Sequence, residues 1–119
     1  MTETIFVVDD NDINLAVAED GLEKEYNVVT LPSGKRLFEM LEKLMPSLIL
    51  LDIVMPEMDG FEVIKRLKSS PKYKSIPVIF LTGTGDEATE NLGYALGAAD
   101  FIHKPFSASI LQQRIRLQI

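Results

Sequence analysis

Ile5-Phe6-Val7-Val8-Asp9-Asp10 is an apolar run that stops on two carboxylates, and Leu48-Ile49-Leu50-Leu51-Asp52 is a second run that stops on a third. Short, continuous apolar runs suit strands buried on both faces, as in a parallel sheet. If the two runs are neighbouring strands of such a sheet, their ends share one edge, and three carboxylates crowd one small pocket. Bare carboxylates that close repel one another. The arrangement makes sense when positive charge sits among them, and Lys104-Pro105, at the end of another short run, supplies part of that charge. The stretch therefore predicts a cation-loaded acidic site.

Working outward, apolar segments at 5–8, 27–30, 48–51, 78–81 and 101–102 alternate with amphipathic stretches. Strands alternating with helices read as βαβ units around a parallel sheet. Local chemistry marks the helix boundaries. Asp59-Gly60-Phe61-Glu62 has capping-box spacing before the periodic Phe61, Ile64 and Leu67, and Thr84 to Glu87 repeats it. Gly97 follows Leu92, Ala95 and Leu96 and suits a left-handed C-cap, while Pro32-Ser33 and Pro77 punctuate the second helix and the fourth strand. Five βα units result, with no internal repeat, linker or low-complexity tract. The segment 107–119 has a helical pattern but ends without Gly, Asn or Pro. Either it frays at a natural terminus or, the favoured reading, the domain is cut from a longer protein.

At 119 residues the chain is one domain, 1–119, large enough to bury a core without disulfides. Cysteine is absent, so neither a thiolate zinc site nor a thiol nucleophile is available, and the cytoplasm is the simplest location. No stretch approaches the roughly 18 to 20 apolar residues of a membrane helix, and Met1-Thr2-Glu3 lacks the basic start of a signal peptide. A formal charge of -6 argues against this domain gripping nucleic acid, because phosphate contacts need a basic face.

In an open parallel sheet, ligands bind beyond the carboxyl ends of the strands. Asp9 and Asp10 end the first strand, Asp52 the third, Thr82 the fourth and Lys104 the fifth. Carboxylates completed by water and phosphate suit Mg²⁺, or Mn²⁺ in its place. A carboxylate nucleophile, a divalent metal, an ammonium and a hydroxyl suffice for phosphoryl transfer, where the protein supplies mainly position and charge neutralisation. Asp52 is the best nucleophile because its strand would be central.

With these residues in view, the chain resembles the receiver domains of two-component response regulators. The resemblance is carried by Val8-Asp9-Asp10, by the run from Leu51-Asp52 through Met55-Pro56 to Asp59-Gly60, by Leu81-Thr82-Gly83 and by the run from Phe101 to Phe106. It implies an α/β fold: a five-stranded parallel sheet with helices on both faces, doubly wound and flavodoxin-like, in strand order 2-1-3-4-5. It also implies that Asp52 accepts phosphate from a histidine kinase or phosphotransfer protein. Asp10, Asp52 and the backbone carbonyl of Val54 then bind Mg²⁺ directly, and Asp9 acts largely through water. Lys104 pairs with the phosphoryl oxygens, and the peptide before Pro105 is cis. Thr82 swings toward the phosphoryl group and Phe101 moves inward behind it, remodelling the surface of helix four, strand five and helix five. Such a domain catalyses only its own phosphorylation and dephosphorylation, and acts as a phosphorylation-driven switch between two conformations.

Some positions tune this pattern. Phe101 stands where many members carry Tyr, so it packs without a hydroxyl to bond. Val54 and Thr84, each two residues after a site residue, are expected to set phosphoryl lifetime. Ala16, Ala18, Glu19 and Asp20 replace some larger apolar residues expected in the first helix, beside which kinases of this family dock. The output, whether transcription factor, cyclic-dinucleotide enzyme, hybrid kinase or stand-alone shuttle, is not encoded in the fold. Glu87, Glu90, Arg114 and Arg116 offer complementary charges for a homodimer through helix four, strand five and helix five.

Plainer readings exist for each residue. Asp9 and Asp10, with Asn11 and Asp12, could simply end a strand and cap a helix, and Phe101 could be ordinary core. His103 reads as exposed or satisfied, the cluster Lys65, Arg66, Lys68, Lys72 and Lys74 as the wet side of a helix and its loop, and Met40 and Met45 as core fillers. The alternative function is a haloacid-dehalogenase-like phosphatase using Asp10 of Asp10-Asn11-Asp12, which leaves Asp52 and its loop without a task. A flavin-nucleotide binder would need a Gly/Ser/Thr-rich loop where this chain has Asp9-Asp10-Asn11-Asp12.

Overall fold

The computed structural model describes residues 2–119, in which every strand is followed by a helix. The strands are β1 (Thr4–Val8), β2 (Asn27–Leu31), β3 (Leu48–Asp52), β4 (Val78–Thr82) and β5 (Asp100–His103). The helices are α1 (Asp12–Leu22), α2 (Gly34–Leu41), α3 (Gly60–Lys68), α4 (Glu87–Ala95) and α5 (Ala108–Gln118). All neighbouring strands are parallel, in the order β2-β1-β3-β4-β5 that the resemblance implies. No helix among the described residues is long and apolar enough to cross a membrane.

Successive side chains of a strand point to opposite faces, and this divides the core. Phe6, Val8, Ile49, Leu51 and Phe80 pack with residues of α2 and α3, whereas Ile5, Val7, Leu48, Leu50, Ile79 and Leu81 pack with α1 and α5. Both sets are fully buried, as the unbroken apolar runs require.

Four helices begin on caps of ordinary chemistry. Ser33, Asp59 and Ser107 each accept from a backbone N–H three residues on, at 3.2, 2.9 and 3.2 Å. Asn11 accepts from both Ile13 and Asn14, so the capping task offered to Asp9 and Asp10 belongs to Asn11. The expected Thr84 to Glu87 box does not form. Asp86, directly before Glu87, caps α4, accepting from the Thr89 N–H at 2.7 Å, and the Thr84 N–H donates to Thr82 Oγ1. Gly97 takes φ of 111°, the left-handed conformation expected after α4.

Two packing expectations are corrected, and a third observation gains a reason. Met40 packs against the core, but Met45 is 44% exposed in the loop between α2 and β3. Lys68 is not part of a solvated face: its Nζ donates to the carbonyls of Lys74 and Ile76, both at 3.0 Å, and burial pulls its pKa below the ordinary lysine value. The small residues of α1 have a packing reason, since Ala18 is fully buried and a Cβ at Gly21 would stand 2.9 Å from that of Ala108 on α5. Bulk there would separate the two helices.

Candidate functional site

Register decides which carboxylates meet. Val8 pairs with Leu51, so Asp9 continues β1 beside the end of β3, where Asp52 pairs with Leu81. Thr82 is in register with His103, which leaves Lys104 one residue further on. The Lys104 N–H donates to the Thr82 carbonyl at 2.8 Å, and the Lys104–Pro105 peptide is cis, as expected. Asp9, Asp10, Asp52, Val54, Thr82, Thr84 and Lys104 line one cleft of about 470 Å³.

The acids differ in setting. Asp9 is fully buried and Asp52 is 4% exposed, while Asp10 faces solvent. Oδ1 of Asp9 accepts from the Asn11 N–H at 2.9 Å; its Oδ2 accepts from Asn14 Nδ2 at 3.1 Å and lies 3.2 Å from Lys104 Nζ. The same Nζ donates to Asp52 Oδ1 at 2.9 Å. One ammonium thus bridges two buried carboxylates. Burial pushes the Asp52 pKa up to about 6; the Lys104 hydrogen bond opposes the rise and the charge of Asp9 adds to it. Burial likewise opposes the charge on Lys104, but its bond to Asp52 and the charges of Asp52 and Asp9 outweigh that and hold its pKa above the usual lysine value.

The loop after β3 is shaped by a close approach. The Gly60 N–H donates to the Ile53 carbonyl at 2.7 Å, and a Cβ at 60 would stand 2.5 Å from the Asp52 carbonyl oxygen. Only glycine lets α3 begin that near the strand end. Before it, Glu57 takes φ of 68°, and Val54 is left 78% exposed at the cleft mouth.

The expected switch pair sits in mixed senses. Thr82 Oγ1 accepts from the Thr84 N–H at 3.1 Å and lies 3.2 Å from the Thr84 carbonyl, so its hydroxyl is engaged by its own loop. Phe101 does not line the cleft. It is already inward, 4% exposed, between Phe80 at 5.4 Å and the edge-on Tyr94 at 5.1 Å, with its ring occupying the space a side chain at Gly93 would need. His103 is exposed, as expected, and joins Glu90 of α4 at 3.1 Å. Sequence reading missed Asn11, Asn14, Phe61 and Thr89, which also line the cleft. Their signal is position, Asn11 as the cap of α1 and the others in the first turn of α1, α3 or α4.

The donor set fits a hard divalent cation. Among the described residues, Asp9, Asp10 and Asp52 bring carboxylate oxygens within 4.8 Å of one another, with no thiolate or imidazole among them. Lys104 engages one oxygen of Asp52, and among the described residues none donates a side-chain hydrogen bond to the exposed Asp10. Oxygen ligands with room for water suit Mg²⁺ or Mn²⁺.

The family model described as the response regulator receiver domain matches residues 5–116, and the chain belongs to this family. It is 44% identical over 116 residues to a probable cyclic di-GMP phosphodiesterase of Vibrio cholerae, covering 98% of this chain and 26% of that protein. It is 38% identical over 117 residues to the response regulator PleD of Caulobacter vibrioides, again covering 98% and 26%. The chain thus spans about a quarter of the length of these relatives. Among solved structures, chemotaxis protein CheY4 of Vibrio cholerae superposes with a TM-score of 0.95 at 26% identity, covering all of both chains.

Proposed function

We propose that this domain is a phosphorylation-driven switch in which Asp52 is the phosphoacceptor. The observation that carries the reading is the setting of Asp52: at the end of the central strand, 4% exposed, gripped by Lys104 at 2.9 Å and lining the cleft. A carboxylate oxygen of Asp52 attacks the phosphorus of a phosphohistidine. The new O–P bond forms as the N–P bond breaks, and the histidine nitrogen keeps the electron pair and takes up a proton. Lys104 moves its charge onto the transferred oxygens, and Thr82 turns its hydroxyl from Thr84 toward them. Asp10, Asp52 and the Val54 carbonyl would hold Mg²⁺, with Asp9 acting through water. When bound, the ion neutralises charge that develops on the phosphoryl oxygens.

Because Phe101 is already packed inward, the hydroxyl is the part of the switch left to move, and the loop from Thr82 to the Asp86 cap carries the change to α4. Val54 and Thr84, at the mouth of the cleft, set how readily water reaches the acyl phosphate. The donor is a sensor histidine kinase or phosphotransfer protein in the cytoplasm, and the domain turns over no external substrate. The greater length of the relatives supports an output domain attached beyond residue 119. A homodimer through α4, β5 and α5 would have to do without Arg116, which binds Glu25 on the α1 side at 3.2 Å, and Arg114, which is held by Asp100 at 3.0 Å. The phosphatase reading fares worse, since Asp10 is exposed and Lys104 grips Asp52 and Asp9 instead.

Intact mass after incubation with acetyl phosphate and Mg²⁺ tests the reading. One metal-dependent phosphoryl adduct, lost in Asp52→Asn, is expected. An adduct that survives Asp52→Asn would move the chemistry to Asp10.

A further inference from the structure

We propose that Asn14 is a positioning residue for phosphoryl transfer, holding the Asp9 carboxylate so that Lys104 can leave it for the incoming phosphoryl group. The inference rests on the reading of Asp52 as acceptor and Lys104 as its cation. Asp9 has no exposed surface, so each donor to it matters. Among the described residues it has three: the Asn11 N–H on Oδ1, and Asn14 Nδ2 at 3.1 Å and Lys104 Nζ at 3.2 Å, which share Oδ2. Lys104 also serves Asp52 at 2.9 Å. A phosphoryl group arriving on Asp52 brings close to two further negative charges that compete for the same ammonium. Lys104 can follow them only if Asp9 is still satisfied after it goes, because a buried carboxylate stripped of a donor is costly.

Asn14 is built to stay behind. Its N–H donates to the Asn11 side chain at 3.0 Å within the cap of α1, which fixes its backbone. Helical side chains lean toward the helix N-terminus, and this lean carries the Asn14 amide back over the end of β1. Being neutral, the amide holds Asp9 without drawing the phosphoryl group away from Lys104. A hydrogen bond to a charged group is worth roughly tenfold to a hundredfold in an equilibrium, so its loss should be readable at the step where Lys104 transfers.

The test is a double-mutant cycle read by calorimetric titration of the phosphoryl mimic beryllofluoride in Mg²⁺. Asn14→Leu keeps the side-chain size and removes the donor. It is expected to weaken beryllofluoride binding about tenfold and to slow phosphorylation at saturating acetyl phosphate by a similar factor, with a much smaller fall in affinity for Mg²⁺ alone, which Asp9 serves only through water. In a Lys104→Met background the same substitution is expected to add no further loss, since no lysine remains to be released. Should Asn14→Leu fail to fold, Asn14→Ala is read in the same cycle. Unchanged beryllofluoride affinity, an equal loss in the Lys104→Met background, or a matching fall in Mg²⁺ affinity would each overturn the proposal. Absence of any adduct on the wild-type chain would instead overturn the phosphoacceptor reading beneath it.

Discussion

Asp52 carries a conflict between folding and its proposed role. Burial raises its pKa from 3.8 to about 6, so the folded chain holds the Asp52 proton more tightly than the unfolded chain does. The stabilisation from that proton is complete below about 4 and is lost as pH rises through about 6. At pH 7.5 the ionised group therefore costs on the order of 1–3 kcal/mol, a net figure in which its bond to Lys104 is already included. In metal-free buffer, Asp52→Asn is expected to be more stable than wild type by about 1–2 kcal/mol at pH 7.5, with the advantage shrinking as pH falls through 6. Urea melts across that range measure it. A variant less stable than wild type at pH 7.5, or an advantage flat with pH, would contradict the assignment.

At the scale of elements, the contact between α4 and β5 depends on one missing side chain. Gly93 leaves the room into which the Phe101 ring packs, and the ring joins α4 to β4 through Tyr94 and Phe80. Gly93→Ala improves helix propensity by about 1 kcal/mol but forces the ring out, an overpacking cost of about 1–3 kcal/mol. A net loss of stability is expected, and nuclear Overhauser contacts between Phe101 and Phe80 should weaken. A stabilised variant with those contacts intact would show that the ring has other room. Cap choice is decided at this scale too. Thr84 and Asp86 both stand near the start of α4, and the cap falls to Asp86, the residue directly before the helix, whose carboxylate takes the Thr89 N–H.

The whole molecule is a sheet clamped between two helical layers, and β3 lies at its centre with every residue buried. Asp52, the proposed acceptor, therefore ends a fully buried central strand, and the cleft is anchored by the core. Leu50→Ala, on the face toward α1 and α5, is expected to cost about 3–4 kcal/mol, read as a shift of the urea midpoint with an unchanged slope. A loss below about 1 kcal/mol would mean that this layer re-packs freely. The tight approach of α1 to α5 at Gly21 and Ala108, fastened by Gln112 Nε2 donating to the Gly21 carbonyl at 2.9 Å, belongs to the same clamp.

Much of this was written in the chain. Apolar runs bounded by Asp, Thr and Lys determined five strands and the edge at which their chemistry gathers, because period and turn residues are local properties. The cis peptide at Pro105, the Asp59 cap and the left-handed Gly97 were legible through the motifs and spacings that carry them. Only the tertiary structure decided that, of two adjacent acids, Asp9 is buried and Asp10 is wet, since that depends on how β1 and the following turn sit against β3. It also decided that Asn14 serves Asp9, that Lys68 ties a loop instead of facing water, and that Arg114 and Arg116 turn to opposite sides of α5. Each of these turns on which partner stands across the gap, and a partner is fixed by packing between elements far apart in sequence, which no local pattern encodes.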